Sequence, residues 1–263
     1  MSALLWSTDL HLDRVAPDQQ QQWLAALIAA PGDALLLTGD ISVAPRLVAD
    51  LEMVADAADR PIYYLLGNHD HYGSAIGTVR DSVIALAERR PSVQWLPPAS
   101  PISLGPGVAL VGVDGWADGR AGNALTTPIV LNDDRLIAEL AAQKGRRAKV
   151  ALKQLLADAD AERLRVLLKR AAAMASTIMV ATHVPPFPEM LPATGRLANP
   201  DWLPLLICGA TGAVLRDFAA AHSTHRIEVL AGHTHVPTVT TIAPNLRCTV
   251  SAPLALSTPS PDR

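Results

Sequence analysis

Short clusters of acidic, amide and imidazole side chains are the part of this sequence that could carry out chemistry. Five of them occur along the chain: Asp9-Leu10-His11, Gly39-Asp40, Gly67-Asn68-His69-Asp70, the single His183, and Gly232-His233-Thr234-His235. Imidazole nitrogen with carboxylate and amide oxygen, and without thiolate, suits Mn, Fe or Zn better than a structural zinc site. The two cysteines, Cys208 and Cys248, are too few for a disulfide framework and are expected to be buried.

The number of candidate ligands indicates two metal ions rather than one. Seven ligands exceed what one tetrahedral ion needs. A carboxylate can bridge two ions, and two ions about 3.5–4 Å apart are the usual arrangement for in-line attack at phosphorus. The glycines before Asp40, Asn68 and His233 favour sharp turns in which the backbone passes close to the ions.

The clusters follow segments predicted to be strands, and this position would bring them together. Apolar runs alternate with helical patterns in units of about thirty residues, which predicts βαβ crossovers and a mostly parallel sheet. The predicted strands are 3–7, 34–38, 62–66, 108–113, 178–182, 227–231, 236–242 and 246–251, and the predicted helices are 17–30, 46–58, 74–89 and a helix-rich stretch over 132–174. Because ligands of an open α/β sheet bind at the carboxyl ends of its strands, five strand ends are expected to deliver the clusters to one rim.

Length and composition favour one globular domain. The chain has 263 residues, 49% of them hydrophobic, and no internal repeat or Gly/Ser-rich linker, which predicts a single domain over residues 1–256 and a frayed tail over 257–263. Basic and acidic residues number 22 and 25, so no nucleic-acid partner is expected. Because no apolar run reaches membrane-spanning length and no targeting segment is visible, we expect a cytoplasmic protein without membrane association.

Taken in order, the five clusters resemble the five motifs of the calcineurin-like metallophosphoesterases. The resemblance extends from Asp9 to His235, which is most of the chain. A given four-residue string arises by chance in about one chain of this size in several hundred, and here it accompanies four further motifs in the right order. The resemblance implies an α/β (α+β) fold, a four-layer αββα sandwich of two mixed β-sheets flanked by helices.

The resemblance also implies a role for each residue of the clusters. One metal ion would be held by Asp9, His11 and His235, and the second by Asn68, His183 and His233. Asp40 would bridge the two ions together with a water or hydroxide. His69 would protonate the leaving oxygen or stabilise charge on the phosphate, and Asp70 would orient His69.

The sequence departs from the family pattern in one place. The second motif of the family often carries a further Asp or similar polar residue, whereas here Gly39-Asp40-Ile41-Ser42 continues into Val43. The missing group would lie behind the metal ligands, so the metal assignment is unchanged but the subfamily is not identified.

Several other polar residues have two interpretations. His71 is either a histidine of an exposed turn or, with Asn68, a contact to the substrate phosphate. Trp116 and Arg120, with Asn123 nearby, follow the predicted strand 108–113 and either bind substrate by stacking and charge or anchor a loop. His222 and His225 lie at the end of a helical pattern and are expected to cap its C-terminus.

Two longer segments also bear on function. The basic stretch 144–170 carries leucines at helical spacing and lacks interleaved aromatics, which favours an amphipathic helix with a solvated basic face over a nucleic-acid patch. The proline-rich loop 184–204 directly follows His183 and is expected to cover the site and help select the substrate.

The function predicted from these features is metal-dependent hydrolysis of a small phosphodiester or nucleotide-like phosphoester. In the implied mechanism, the bridging hydroxide attacks phosphorus and His69 acts as the acid. A phosphomonoesterase or protein phosphatase is the alternative within the same chemistry. A nuclease subunit and a non-catalytic scaffold of the same fold are the alternatives from other classes, and the oligomeric state is left open.

Overall fold

The computed structural model describes residues 3–259, and the strands of this part of the chain form two sheets. The strands are β1 (Leu4–Ser7), β2 (Ala34–Thr38), β3 (Ile62–Leu65), β4 (Val93–Trp95), β5 (Ile102–Gly105), β6 (Val108–Val113), β7 (Thr177–Thr182), β8 (Arg226–Ala231), β9 (Thr238–Ala243) and β10 (Leu246–Val250). One sheet has the order β1-β2-β3-β4 and the other the order β5-β6-β7-β8-β10-β9.

The helices connect the strands and cover the outer faces of the sheets. They are α1 (Pro17–Ala29), α2 (Ala44–Ala58), α3 (Ile76–Arg89), α4 (Asp133–Leu136), α5 (Ala138–Ala141), α6 (Arg146–Ala172), α7 (Leu203–Leu206) and α8 (Gly209–Ala221). Three of them, α4, α5 and α7, span only four residues each.

The side chains of each strand alternate between two hydrophobic cores, which produces four layers. In β2, Leu35 and Leu37 pack with α1, α2 and α3, whereas Leu36 joins a core that also contains Leu110 and Met179 of the second sheet. The other face of the second sheet packs against α6 and α8. Strands covered on both faces explain why the apolar runs are continuous rather than alternating.

The predicted αββα fold class is therefore confirmed, with one difference in the sheets. Only the second sheet is mixed, because β5 and β9 are antiparallel to their neighbours while β6, β7, β8 and β10 are parallel. Every strand pair of the first sheet is parallel. Two short strands, β4 and β5, were not predicted, since segments of three or four residues give little apolar signal.

The long helix α6 confirms the helical interpretation of the basic stretch, but part of its basic face is not solvated. Lys153 is buried and its Nζ lies 2.9 Å from Asp134 Oδ1. Lys149 Nζ donates to the Asp134 carbonyl over 2.6 Å, and the Arg146 guanidinium donates to the Thr127 carbonyl. These cations hold the segment before α6 against the helix instead of facing water.

The C-terminal segment is tied to the first sheet where the sequence predicts a frayed tail. Ser257 forms an antiparallel bridge with Trp6 of β1, with backbone hydrogen bonds of 2.8 and 3.0 Å. The prediction is therefore wrong for Ser257. Residues 260–263 of the predicted tail lie outside the described residues.

Within residues 3–259, no single helix is long and apolar enough to cross a membrane. One bent pair, Pro200–Leu206 with Gly209–Ala221, meets the length and composition criteria only when its two parts are taken together across a 79° bend.

The layered core predicts that removing a side chain between the sheets destabilises the protein. Leu36 is fully buried there, and its replacement by alanine (Leu36→Ala) is expected to lower the free energy of unfolding by about 2–5 kcal/mol. Leu155→Ala is the matched control, because Leu155 is 68% exposed on α6 and the same change there should cost less than about 0.5 kcal/mol. Urea unfolding of both variants in one metal-free buffer measures the difference; equal losses would contradict the layer assignment.

Candidate metal centre

Five loops from the two sheets meet at one rim of the molecule. Backbone hydrogen bonds join the first two loops, from Asp9 N to Gly39 O (3.1 Å) and from His11 N to Asp40 O (3.0 Å). A third bond, from His233 N to Asp9 Oδ1 (3.0 Å), connects the first sheet to the second. The strand ends therefore deliver their polar clusters to a common place, as the βαβ pattern predicts.

The first group that could hold a metal ion consists of Asp9, His11, Asp40 and His235, whose candidate ligand atoms lie within 4.8 Å of one another. His235 Nε2 lies 3.2 Å from Asp9 Oδ1 and 3.1 Å from His11 Nε2. His11 Nε2 is 3.8 Å from Asp40 Oδ2. Two carboxylates and two imidazoles thus face one point.

The second group shares Asp40 with the first and adds His183 and His233. His183 Nε2 lies 3.3 Å from Asp40 Oδ1 and 3.3 Å from Asn68 Oδ1. Asp40 therefore directs one oxygen toward each group, which is the arrangement that a carboxylate bridging two ions requires.

The backbone is strained at the same positions. Among the described non-glycine residues, φ is positive at Asp9 (51°), His11 (43°), Asp40 (51°), His233 (70°) and His235 (61°), and otherwise only at Asp59 and Leu254. Such conformations cost about 1–3 kcal/mol each and concentrate at functional sites. Five of the seven candidate ligands thus have a strained backbone at the place where the loops meet.

Two glycines allow the loops to approach each other closely. A Cβ on Gly67 would collide with the Asp40 carboxylate and with the Asp40 backbone. A Cβ on Gly232 would collide with the Thr8 hydroxyl and with the Asp9 carboxylate. Both positions therefore need glycine, because the carboxylates occupy the space of a side chain.

The electrostatics of the groups favour positive charge. Burial alone would raise the pKa of Asp40, but the facing imidazoles of His183 and His69 hold it well below its usual value. Burial alone would lower the pKa of His183, but Asp40 and Asp9 raise it to about 10. Burial and the neighbouring His183 lower the pKa of His233 to about 4, which leaves a neutral imidazole suited to bind a metal.

Carbonyl oxygens behind the cluster fix two of the imidazole rings. His183 Nδ1 lies 2.8 Å from Thr38 O, so its Nε2 is directed toward Asp40. His233 Nε2 lies 3.1 Å from Leu205 O. Hydrogen bonds from one ring nitrogen to a backbone carbonyl are typical of histidines that bind metals, and together with the oxygen and nitrogen donor set they fit two metal ions.

His69 lies beside the two groups rather than inside either of them. Its Nε2 is 3.9 Å from Asp40 Oδ2, and its ring stacks on Tyr72 with centroids 4.3 Å apart. The His69 side chain keeps 18% of its surface exposed, so it can meet a molecule bound in front of the cluster.

The predicted contact of Asp70 with the His69 ring is not made. Asp70 is fully buried and accepts hydrogen bonds from three backbone amides, those of Ile41 (2.9 Å), Ser42 (2.9 Å) and Gly67 (2.8 Å). The prediction that Asp70 orients the His69 ring by direct contact is therefore wrong. Asp70 instead joins the loop after β2 to the loop after β3.

The structure also corrects the interpretations of His71, Trp116 and Arg120. His71 is fully buried and stacks on the buried Trp116 with centroids 5.4 Å apart, so it is neither an exposed turn residue nor accessible to substrate. Arg120 donates to Asp118 (2.8 Å) and Asp158 (2.9 Å), which assigns it to loop anchoring.

The remaining minor predictions have mixed outcomes. Asn123 is exposed and its side chain accepts a hydrogen bond from the Leu125 amide. His222 caps α8 through Phe218 O (3.1 Å), as expected, whereas His225 contacts Ala172 O at the end of a different helix, α6 (3.2 Å). Cys208 and Cys248 are buried free thiols, as predicted.

Asp133 and Tyr72 belong to the site but were not predicted from the sequence. Asp133 is buried, and its Oδ1 accepts hydrogen bonds from Asn68 Nδ2 (2.8 Å) and from the Tyr72 hydroxyl (2.6 Å). The amide of Asn68 is thereby turned so that its Oδ1 faces His183. An isolated Asp in the helix-rich stretch carries no motif signal, so only the fold reveals this contact.

An open cavity of about 690 Å³ lies in front of the cluster. Its floor includes Asp40, Asn68, His69, His233 and His235. The loop 184–204 contributes part of its wall, namely Pro192, Thr194, Gly195, Arg196, Leu197 and Trp202. The position of this loop over the site agrees with the sequence prediction.

Solved structures with the same fold include three proteins of different description. They are phosphopantetheinyl hydrolase of Mycobacterium tuberculosis (TM-score 0.68, 15% identity, 96% of this chain and 90% of that one), a dimetal phosphatase of Danio rerio (0.60, 12%, 96% and 88%), and GAP50, an anchor in the inner membrane complex of Plasmodium (0.52, 11%, 95% and 71%). At such low identity these similarities concern the fold alone. Among curated proteins, none is a significant match.

The sequence profile of the calcineurin-like phosphoesterases matches residues 4–237. The matched region begins at β1 and ends after His235, so it contains all five loops of the candidate metal centre. The chain therefore belongs to the calcineurin-like phosphoesterase family.

Proposed function

We propose that this protein hydrolyses a small phosphodiester or nucleotide-like phosphoester with two metal ions bound at the candidate metal centre. The observation that carries the proposal is the position of Asp40, whose two carboxylate oxygens face two separate groups of ligands while His69 stands beside them. In this assignment Asp9, His11 and His235 hold one ion, Asn68, His183 and His233 hold the other, and Asp40 bridges them. When bound, two divalent ions neutralise phosphate oxygens and lower the pKa of water.

The side chains of the protein would supply the remaining requirements of hydrolysis. An oxygen of water forms a new bond to phosphorus, the bond from phosphorus to the ester oxygen breaks, and that oxygen must receive a proton. His69 is the group in position to donate it, because its Nε2 faces the cavity side of Asp40 and its ring is held against Tyr72.

The cavity supports a small substrate in preference to a long polymer. Its volume of about 690 Å³ falls within the range of small-molecule sites. The net charge of −3 offers no general attraction for nucleic acid. A phosphomonoesterase acting through the same residues is the alternative that substrate assays must separate.

A non-catalytic scaffold is the competing function from another class. The fold does not decide between the two, since its neighbours include a phosphatase and an anchor. The complete set of candidate ligands, with His69 beside it, favours catalysis, because a protein that only binds a partner has no need of these side chains.

The proposal predicts that His69→Ala strongly reduces turnover without loss of metal. Activity on phosphomonoesters, cyclic nucleotides and other diesters, measured with Mn, Fe, Zn and Mg, should fall about 10²–10⁴-fold, which is the usual contribution of a general acid. His222→Ala, at the far end of α8, is the matched control and should retain full activity. Unchanged turnover in His69→Ala would exclude the acid role, and inactivity of the wild type on every compound would favour the scaffold.

Asp40→Asn is expected to reduce metal binding at both positions, since an amide cannot supply two anionic oxygens to two ions. The metal content of dialysed protein, measured by elemental analysis, should fall from about two ions per chain to fewer than one. Asp18→Asn, an exposed change in the first turn of α1, should leave the metal content as it is. Two retained ions in Asp40→Asn would contradict the bridging assignment.

Asp133→Ala is expected to weaken the binding of one ion about 10–100-fold, because the amide of Asn68 loses the acceptor that orients it. Titration of metal-free protein by calorimetry measures this directly. Asp134→Ala is the control, since Asp134 also pairs with Lys153 but has no hydrogen bond to Asn68. Equal weakening in both variants would show a general structural effect instead of positioning.

A further inference from the structure

Arg196 and Trp202 form a cation–aromatic pair on the wall of the cavity. The guanidinium carbon of Arg196 lies 4.1 Å from the centre of the Trp202 ring. Both residues line the cavity that contains His69 and His233. A guanidinium that rests on an indole by its face keeps the N–H donors at its edge free to bind a ligand.

Of the two arginines that line the cavity, Arg196 is the one without a carboxylate partner among the described residues. Asp40 supplies the carboxylate among the lining residues, and it already belongs to the metal centre. The other arginine, Arg14, has its Nε 3.3 Å from Asp13 Oδ2. Within the described residues, Arg196 has no carboxylate within ion-pair distance.

The segment that carries Trp202 is fixed to the rest of the molecule. The Thr127 hydroxyl donates to Asp201 O over 2.8 Å, and Asn199 accepts from the Asp201 amide over 2.9 Å. One helical turn further on, Leu205 O contacts the ring of His233. Trp202 therefore stands on an anchored segment that also contacts the metal centre, and it offers Arg196 a fixed aromatic face.

The rest of the cavity wall has a large apolar part. It is built from Tyr72, Leu131, Pro192, Leu197, Leu206 and Val236. Apolar side chains suit the organic part of an ester, whereas a cation in the same cavity suits an anionic group. A phosphoester that fills this cavity can thus place its organic part on apolar side chains and a second charged group at Arg196.

We propose that Arg196, supported by Trp202, binds a second anionic oxygen group on the organic part of the substrate. The substrate class is accordingly a phosphoester that carries a further phosphate or carboxylate. This inference rests on the proposed function, since the scissile phosphate is placed at the metal centre. A guanidinium binds either oxygen group through two parallel hydrogen bonds.

Two matched pairs of compounds test the inference and separate the two sources of the anion. The phosphate pair is thymidine 5′-(4-nitrophenyl phosphate) with and without a 3′-phosphate, and release of nitrophenolate reports cleavage of the diester alone. The carboxylate pair is 4-carboxyphenyl phosphate and phenyl phosphate, measured by release of inorganic phosphate. For each pair, the preference is the ratio of the two kcat/KM values on one protein sample.

In the wild type we expect a preference of about tenfold or more for the compound with the second anion in at least one pair, since hydrogen bonds between charged groups have this magnitude. In Arg196→Gln that preference should fall to about 1. In Arg196→Lys it should be intermediate, because an ammonium keeps the charge and loses the planar fork. Trp202→Leu should reduce it as well.

Arg165→Gln is the matched control, because Arg165 is an exposed cation paired with Glu162 on α6 and away from the cavity. This variant should keep the wild-type preference. If wild type cleaves both members of each pair with equal kcat/KM, or if Arg196→Gln keeps the preference, the inference is overturned while the proposed function stands. If no compound is cleaved with any metal, the proposed function and this inference fail together.

Discussion

The structure of the site depends on the burial of one carboxylate, that of Asp40. Only 2% of this residue is exposed, and an isolated buried carboxylate would be strongly unfavourable. The backbone amide of His69 and the rings of His11 and His183 surround its two oxygens. Since neutral imidazoles compensate a negative charge poorly, the arrangement attracts cations, either as protons on His183 or as metal ions.

Bringing five loops to one carboxylate requires backbone conformations that L-amino acids rarely adopt. Positive φ values at Asp9, Asp40 and His233 show where the chain bends most sharply. Parallel pairing of β1 with β2 and of β7 with β8 holds the loop ends in place, and the hydrogen bond from His233 N to Asp9 joins the two sheets. The sheets thus maintain a geometry that isolated loops would lose.

The strands and the clusters at their ends could be predicted from the sequence, because a continuous apolar run or a polar cluster directly after it is compatible with few structures. Continuous apolar runs such as Leu35-Leu36-Leu37 gave the strands, and the clusters at their ends gave the residues that meet at the rim. Prediction failed within the short turn His69–His71, where neighbouring side chains point in different directions. His69 faces the cavity, Asp70 binds backbone amides and His71 enters the core against Trp116.

Two tryptophan and arginine pairs show that residue type alone does not identify the side chains that face a ligand. The sequence pointed to Trp116 and Arg120, which are next to a strand end, yet Trp116 is buried and Arg120 is paired with Asp118, two residues away, and with Asp158 of α6. Arg196 and Trp202 carry the same chemistry in a loop with no motif, and that pair lines the cavity. Whether an arginine is paired depends on how its own loop folds, as with Asp118, and on acids from other elements, as with Asp158, so it follows from the tertiary structure. The candidate metal ligands are predicted more readily because their positions are set by strand ends, whereas the segments that hold their rings and amides, such as those of Leu205 and Asp133, lie far away in the sequence.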